Sequence, residues 1–303
     1  MIKLIHVDTD YRVDIASFSP LLTDPVVGIL EETIADFTGA KYACAIHSAS
    51  MAIFLSLVDK PKTTVSVPAI IPPVVPNSIL TAGHDISYYD DIDWVGSAYT
   101  LHKFEDYKII DSADQFKNQA NDNDLMIFSF YPTKPVGSID GGMVVSNDED
   151  KIRHLKILSR YGTNLEENSW ERRNILPGWK MYMNSVQAYI AMRNFQKLES
   201  KASRMDEVRQ VYNDAFNLSH TSRHLYRLRV KDRSNFISKM NKLGIQCGIH
   251  YRSVHDVKCY KSKTDTSIPK SIKEGAETVS IPYHEKLTDE QIKFIIKEVG
   301  KWI

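Results

Sequence analysis

The sequence predicts an α/β chain, a three-layer arrangement with a mostly parallel sheet between helices, followed by a smaller α+β C-terminal unit. Two observations carry this expectation. Runs such as LMIF and GMVV have the length of strands and are apolar without interruption, so they need cover on both faces. They alternate with helical segments, the pattern of a sheet wrapped on both sides. Size agrees: 303 residues, 43% of them hydrophobic, are enough for one large core or two domains.

Element by element, residues 1–23 read as an irregular arm. Asp24 can cap a helix that Pro25 opens, with Val26, Val27, Leu30, Ile34 and Phe37 on one apolar face and Gly39 closing it. Strand-like YACAIH then precedes helical ASMAIFLSLV, and TVSVPA precedes VVPNSILTAG and ISYYD. YKIIDSA, LMIFSF and GMVVSND continue the series. After Asp148 a basic amphipathic helix runs to about Tyr161, and the polar, Trp-containing stretch 162–179 reads as an ordered loop. A long helix over about 184–213 bridges to strand SRHLYRLRV, helix DRSNFISKMNKLG and strands IQCGIHY and VSIPYH. Thr288 and Gln291 form a capping box for the last helix. The expected organisation is an arm over 1–23, a large unit over 24–190, and a bridging helix with a small unit over 191–303.

Composition narrows the function. With 38 basic and 38 acidic side chains the formal net charge is zero, and the signs alternate along most segments, which argues against a nucleic-acid partner. Cys44, Cys247 and Cys259 are an odd number without Cys-x-x-Cys spacing, and read as reduced thiols. The start MIKLIHVDTD has no apolar signal core, and no run approaches the ~20 apolar residues that span a bilayer. A cytosolic protein with a small-molecule ligand is expected. His220 and His224 lack a nearby cysteine or acid to complete a metal set, so no metal is assigned.

In an α/β sheet, ligands collect at the carboxyl ends of the strands. Asp111 follows a strand run that ends at Ile110, Ser129 lies near the end of another, and Lys134 follows five residues later, ahead of Gly141 and Gly142. A lysine in such a place becomes a nucleophile toward carbonyls once burial disfavours its ammonium form, although a lone lysine is more often a solvated surface residue. The turn His47-Ser48-Ala49-Ser50 enters a helix and offers backbone N–H groups and hydroxyls to a phosphate; ordinary capping explains the same serines.

Taken together, GAKYACAIHSASMAIFLSL, TVSVPAIIPPVVPNSIL, IIDSADQF, FSFYPTKPVGSIDGGMVVSND, PGWKMYMNSVQAYIA and GIHYRSVH stand in the order and approximate spacing of one family. From residue 19 onward the chain resembles the DegT/DnrJ/EryC1/StrS sugar aminotransferases, which use pyridoxal phosphate on the aspartate-aminotransferase type of fold (fold type I). The resemblance implies that Lys134 holds the cofactor covalently and then moves protons as general acid and base. It matches Asp111 to the acid that pairs with the pyridine nitrogen, and Asp114 to a position near the ring. Ala49, Ser50 and Ser129 fall where the phosphate is held, with Ala49 replacing the usual glycine. Pro72 stands where many relatives stack an aromatic ring. Lys180 and Tyr182 lie in a loop that in the family reaches the neighbouring subunit's phosphate, which implies a homodimer with shared active sites; a plain helix-entry loop explains the segment almost as well. His250 and Tyr251 match a His-Tyr pair, although one of the two can simply face the core.

The implied activity is transfer of an amino group, from L-glutamate, to a nucleotide-linked keto sugar. Relatives that dehydrate sugars have histidine where this chain has Lys134, which argues against that reaction. Two alternatives stay open: another small keto acceptor, since the chain is short for the family, or a non-catalytic relative that binds the cofactor or a nucleotide sugar.

Overall fold

Seven strands form in the first half of the chain, the six expected ones and β4: β1 (Tyr42–Ile46), β2 (Thr64–Pro68), β3 (Asp85–Tyr89), β4 (Tyr99–Lys103), β5 (Lys108–Asp111), β6 (Leu125–Ser129) and β7 (Gly142–Ser146). The structure is a computed structural model that describes residues 1–8, 11–18, 25–116, 123–165, 169–262 and 267–303. Asp24, the expected helix cap, lies outside the described residues.

Five strands make one sheet in the order β1-β7-β6-β5-β4, and β2 pairs with β3 in a parallel ladder of its own. The sheet is mixed. Strands β1, β6 and β5 point the same way, whereas β7 and β4 are reversed. The reversal of β4 has a local cause: only residues 104–107 separate it from β5, too few for a crossover, so the two close as a hairpin with the Phe104 N–H on the Tyr107 carbonyl.

Every residue of β6 and β7 is buried. The reason is visible along β6, where Leu125 and Ile127 join one apolar cluster with α2 (Ala49–Leu57), α3 (Val74–Thr81) and α4 (Glu149–Ser159). Met126 and Phe128, pointing the other way, join a second cluster with α1 (Val26–Thr38) and α5 (Ser185–Phe195). The layers are therefore helix, sheet, helix, as expected of fold type I. At the C-terminal end of α1, Gly39 adopts φ 75, and it satisfies the Ala35 and Asp36 carbonyls.

A third cluster gathers α6 (Leu198–Phe216), β8 (Tyr226–Arg229), α7 (Arg233–Lys242), β9 (Thr278–Ile281) and α9 (Asp289–Val299), with β8 and β9 antiparallel. Helix α8 (Pro269–Glu277) leads into β9, and Thr288 and Gln291 form the capping box of α9. Two expectations change. The bridging helix is two helices, because the Lys197 N–H turns to the Asn194 carbonyl three residues back and so tightens and ends α5. The run IQCGIHY is no strand: Ile245 bridges to Ile2 and Gly248 to Ser280, so its backbone is divided between two partners. The start of the arm is correspondingly ordered, with Ile2 and Leu4 bonded to Gly244, Gln246 and Tyr283.

Cys44 is buried, Cys247 half-buried and Cys259 exposed, all three as free thiols. Among the described residues no helix is long and apolar enough to cross a membrane.

Candidate active site

Strand register gathers the candidate residues. Ile46 at the end of β1 pairs with Gly142, Gly142 pairs with Ser129 at the end of β6, and Asp111 at the end of β5 pairs with Ile127. Because β1, β5 and β6 run parallel, their carboxyl ends share one edge of the sheet. From β1 to β5 this edge spans roughly 14 Å, three strand spacings of ~4.8 Å.

At the β1 end, Ser48 caps α2 by accepting the Met51 N–H at 3.3 Å, which leaves the Ala49 and Ser50 amides without an intrahelical acceptor, as in any first turn. Gly142 lies flat against this helix start: a Cβ there would come within 2.6 Å of the Ala49 nitrogen. His47 Nδ1 is buried without a partner, and burial lowers the ring's pKa. Ser129 Oγ accepts the Tyr131 N–H, so its local turn role is real. Pro72 is half-buried ahead of α3.

At the β5 end, Asp111 is 5% exposed, and burial raises its pKa above the ordinary carboxylate range. Both donors bonded to it are neutral: the Ala113 N–H at 3.0 Å and the Tyr99 hydroxyl at 2.8 Å. Tyr99 packs against Trp94, which stacks on Tyr251 with 6.3 Å between ring centroids. Burial also raises the Tyr251 pKa, helped by the nearby charges of Asp114 and Asp111.

Lys134 turns back from the loop after β6, its N–H on the Tyr131 carbonyl, and its ammonium pairs with Asp114. The lysine side chain is 12% exposed and the aspartate 3%. Burial opposes charge on Asp114, but Lys134, helped by the Gly96 N–H, outweighs it and holds the carboxyl below its ordinary value. His224 Nε2 lies 3.5 Å from the same Asp114 oxygen, and burial pushes its pKa down to about 3. His250, whose Nδ1 meets Ser280 Oγ at 2.9 Å, is lowered to about 4 by burial against the pull of Asp114. Both members of the His-Tyr pair thus sit close enough to feel the acids.

Lys134 and Asp114 line a cavity of about 380 Å³, whose far wall is built by His6 and Asp8 of the arm, Lys201 of α6 and the segment around Tyr283. His6, Asp8 and Glu285 bring three potential ligand atoms within 4.8 Å of one another, but Asp8 already pairs with Lys197 and Lys201. Lys180 and Tyr182 part company. Tyr182 bridges to Ile46 at the β1 end of the same edge, whereas Lys180 bridges to Arg160 after α4 and is exposed.

Tyr99, Trp94, Gly96 and His224 were not legible as site residues. Tyr99 had a signal, the alternation of YTLHK; His224 had none, because its partner Asp114 is 110 residues away in sequence.

Residues 109–300 match the sequence profile of the DegT/DnrJ/EryC1/StrS aminotransferase family. The matched stretch takes in Asp111, Asp114, Ser129, Lys134, Lys180 and Tyr182, and begins after Ala49, Ser50 and Pro72. A UDP-4-amino-4,6-dideoxy-N-acetyl-beta-L-altrosamine transaminase from Campylobacter jejuni is 23% identical over 362 aligned positions, covering 97% of this chain and 96% of its own. Among solved structures, Helicobacter pylori PseC, an aminotransferase involved in the biosynthesis of pseudoaminic acid, superposes with a TM-score of 0.83 at 16% identity, covering 99% of each chain. A putative sugar aminotransferase from Streptococcus pneumoniae in its PLP-form gives 0.81 at 20% identity, covering 98% of this chain and 97% of the other. These structural likenesses establish the fold.

Proposed function

The chain belongs to the DegT/DnrJ/EryC1/StrS aminotransferase family, and from that premise we propose that this aminotransferase uses pyridoxal phosphate to move an amino group from L-glutamate to a nucleotide-linked keto sugar. The acceptor class rests on the Campylobacter relatives, whose names specify UDP-sugar transamination. One observation carries the site assignment: a lysine and two buried acids converge at the edge where three parallel strands end, beside a cavity.

The residues fit the cofactor. Among the described residues no cation is hydrogen-bonded to the buried Asp111 carboxyl, and a protonated ring nitrogen would supply one. The open first turn of α2, with Ala49, Ser50 and nearby Ser129, has the donors that a phosphate needs. Pro72 would offer flat aliphatic contact to a ring. When bound, pyridoxal phosphate supplies a carbonyl that captures amines and a ring that withdraws electrons from the carbon being deprotonated. Lys134 Nζ would hold the cofactor, be released when the donor amine arrives, and carry the proton taken from the substrate carbon. Asp111 would keep negative charge fixed at the ring nitrogen, and Asp114 would pair with Lys134 once its freed amine has taken up that proton.

The proposed assembly is a homodimer in the cytosol, with Lys180 and Tyr182 reaching the partner's phosphate site. Trp170, Tyr131, Ile139 and Ile175 are large apolar side chains left exposed on this chain, which supports an interface.

An absorbance spectrum before and after L-glutamate tests the reading. A lysine-linked chromophore should convert to the pyridoxamine form, and keto sugars should reverse the change. A chromophore that glutamate leaves untouched would point to a binding protein instead, and reversal only by other keto compounds would move the acceptor class.

A further inference from the structure

We propose that His224 is a positioning residue for Lys134, acting through Asp114. The inference rests on the reading of Lys134 as the reactive amine, and it begins from the bonding of one buried carboxylate. Asp114 Oδ2 accepts the Gly96 N–H at 3.3 Å, while Lys134 Nζ and His224 Nε2 converge on Oδ1. His224 is 5% exposed, and it comes from the corner that leads into β8, far from Lys134 in sequence.

That corner is built to hold the imidazole. Ser222 Oγ accepts the backbone N–H groups of both His224 and Leu225, at 3.0 and 3.2 Å, and the Ser222 carbonyl accepts the Tyr283 hydroxyl. The loop that supplies the Gly96 N–H lies against the same serine. Gly96 has φ +87, and a Cβ there would come within 2.2 Å of Ser222 Oγ. One serine therefore sets both the amide on Oδ2 and the ring on Oδ1.

The chemistry favours histidine at this place. Burial keeps the imidazole neutral, so Nε2, 3.5 Å from Asp114 Oδ1, can turn an N–H toward that oxygen without competing as a second cation. The full negative charge is left for Lys134. An arginine or lysine there would take Asp114 for itself, and an apolar side chain would leave the carboxylate free to rotate. Held from both sides, Asp114 pins an otherwise flexible four-carbon amine at the cavity wall, ready to re-enter the reaction after each displacement.

The test uses the full chain with any bound cofactor stripped by an amine exchange and dialysis. Acetic anhydride labelling of Lys134, followed by peptide mass spectrometry, reads how firmly the amine is held, with exposed Lys62 as internal reference. Asp114→Asn should raise the Lys134 labelling rate roughly tenfold, the loss of one opposite charge. His224→Phe should raise it severalfold, and His224→Gln, which keeps an N–H donor, should stay near the wild-type rate. Labelling of a folded His224→Phe protein at the wild-type rate, or His224→Gln behaving like His224→Phe, overturns the proposal. Should His224→Phe not fold, Ser222→Ala, which only loosens the ring, takes its place with the same expected rise and the same overturning result. Labelling needs no cofactor, so a rise in a protein that forms no chromophore on reconstitution would keep the positioning role and remove the cofactor reading.

Discussion

Lys134 has little meaning apart from what surrounds it: an acid bonded to its amine, a second acid at the adjoining strand end, and a cavity. Replacing it with alanine should abolish the lysine-linked chromophore and lower turnover by at least about 10³-fold, since both covalent capture and proton transfer are lost. A lysine-linked absorbance surviving in Lys134→Ala would refute the assignment. Tyr99→Phe removes a neutral donor from buried Asp111, and leaving that carboxyl under-bonded should cost about 1–3 kcal/mol in urea unfolding. The buried histidines predict an acid limit. His224 and His250 have folded pKa values of about 3 and about 4, below the unfolded value near 6.5, so the unfolded chain binds more protons in that window. Stability is then complete above pH 6.5 and falls as the pH drops toward 4, by about 1 kcal/mol per pH unit for each histidine. His224→Gln should flatten that slope in unfolding measurements between pH 6.5 and 4.5; an unchanged slope would mean that the ring is already charged in the native protein.

Among the elements, the sheet edge depends on one close approach. Gly142 lets β7 lie against the first turn of α2, and Gly142→Ala would drive a methyl into the Ala49 backbone, which cannot rotate away. The expected result is about 1–3 kcal/mol of destabilisation with weakened phosphate binding, read by thermal unfolding and by cofactor titration. Wild-type behaviour in both would show that β7 and α2 separate freely. Two strands at this edge were legible because LMIF and GMVV are apolar on both faces. Strand β4 was not: YTLHK alternates only briefly, and its identity as a hairpin partner depends on four connecting residues that carry no strong turn signal. The break between α5 and α6 was hidden for a related reason, since neither glycine nor proline marks it.

At the scale of the whole molecule, the third apolar cluster draws its buried residues from the smaller unit proposed over 191–303, whereas Ala191, Leu198, Leu225, Val254 and Ile268 of that stretch pack into the two clusters of the large unit proposed over 24–190. The proposed dimer makes activity depend on concentration. Sedimentation should show a dimer, Trp170→Asp should shift it toward monomer, and activity should fall in step with dissociation; a fully active monomer would end that proposal. By itself, the sequence determined the alternation of buried strands and helices and the family-specific order of Lys134, Asp111 and Ser129, because apolar periodicity and motif spacing are local properties. Only the tertiary structure decided that Lys134 meets Asp114 and not Asp111, that His224 and Gly96 complete the grip on that carboxylate, and that the arm walls the cavity. Those contacts join residues tens to hundreds of positions apart, and no local pattern encodes which distant loop a buried charge will find.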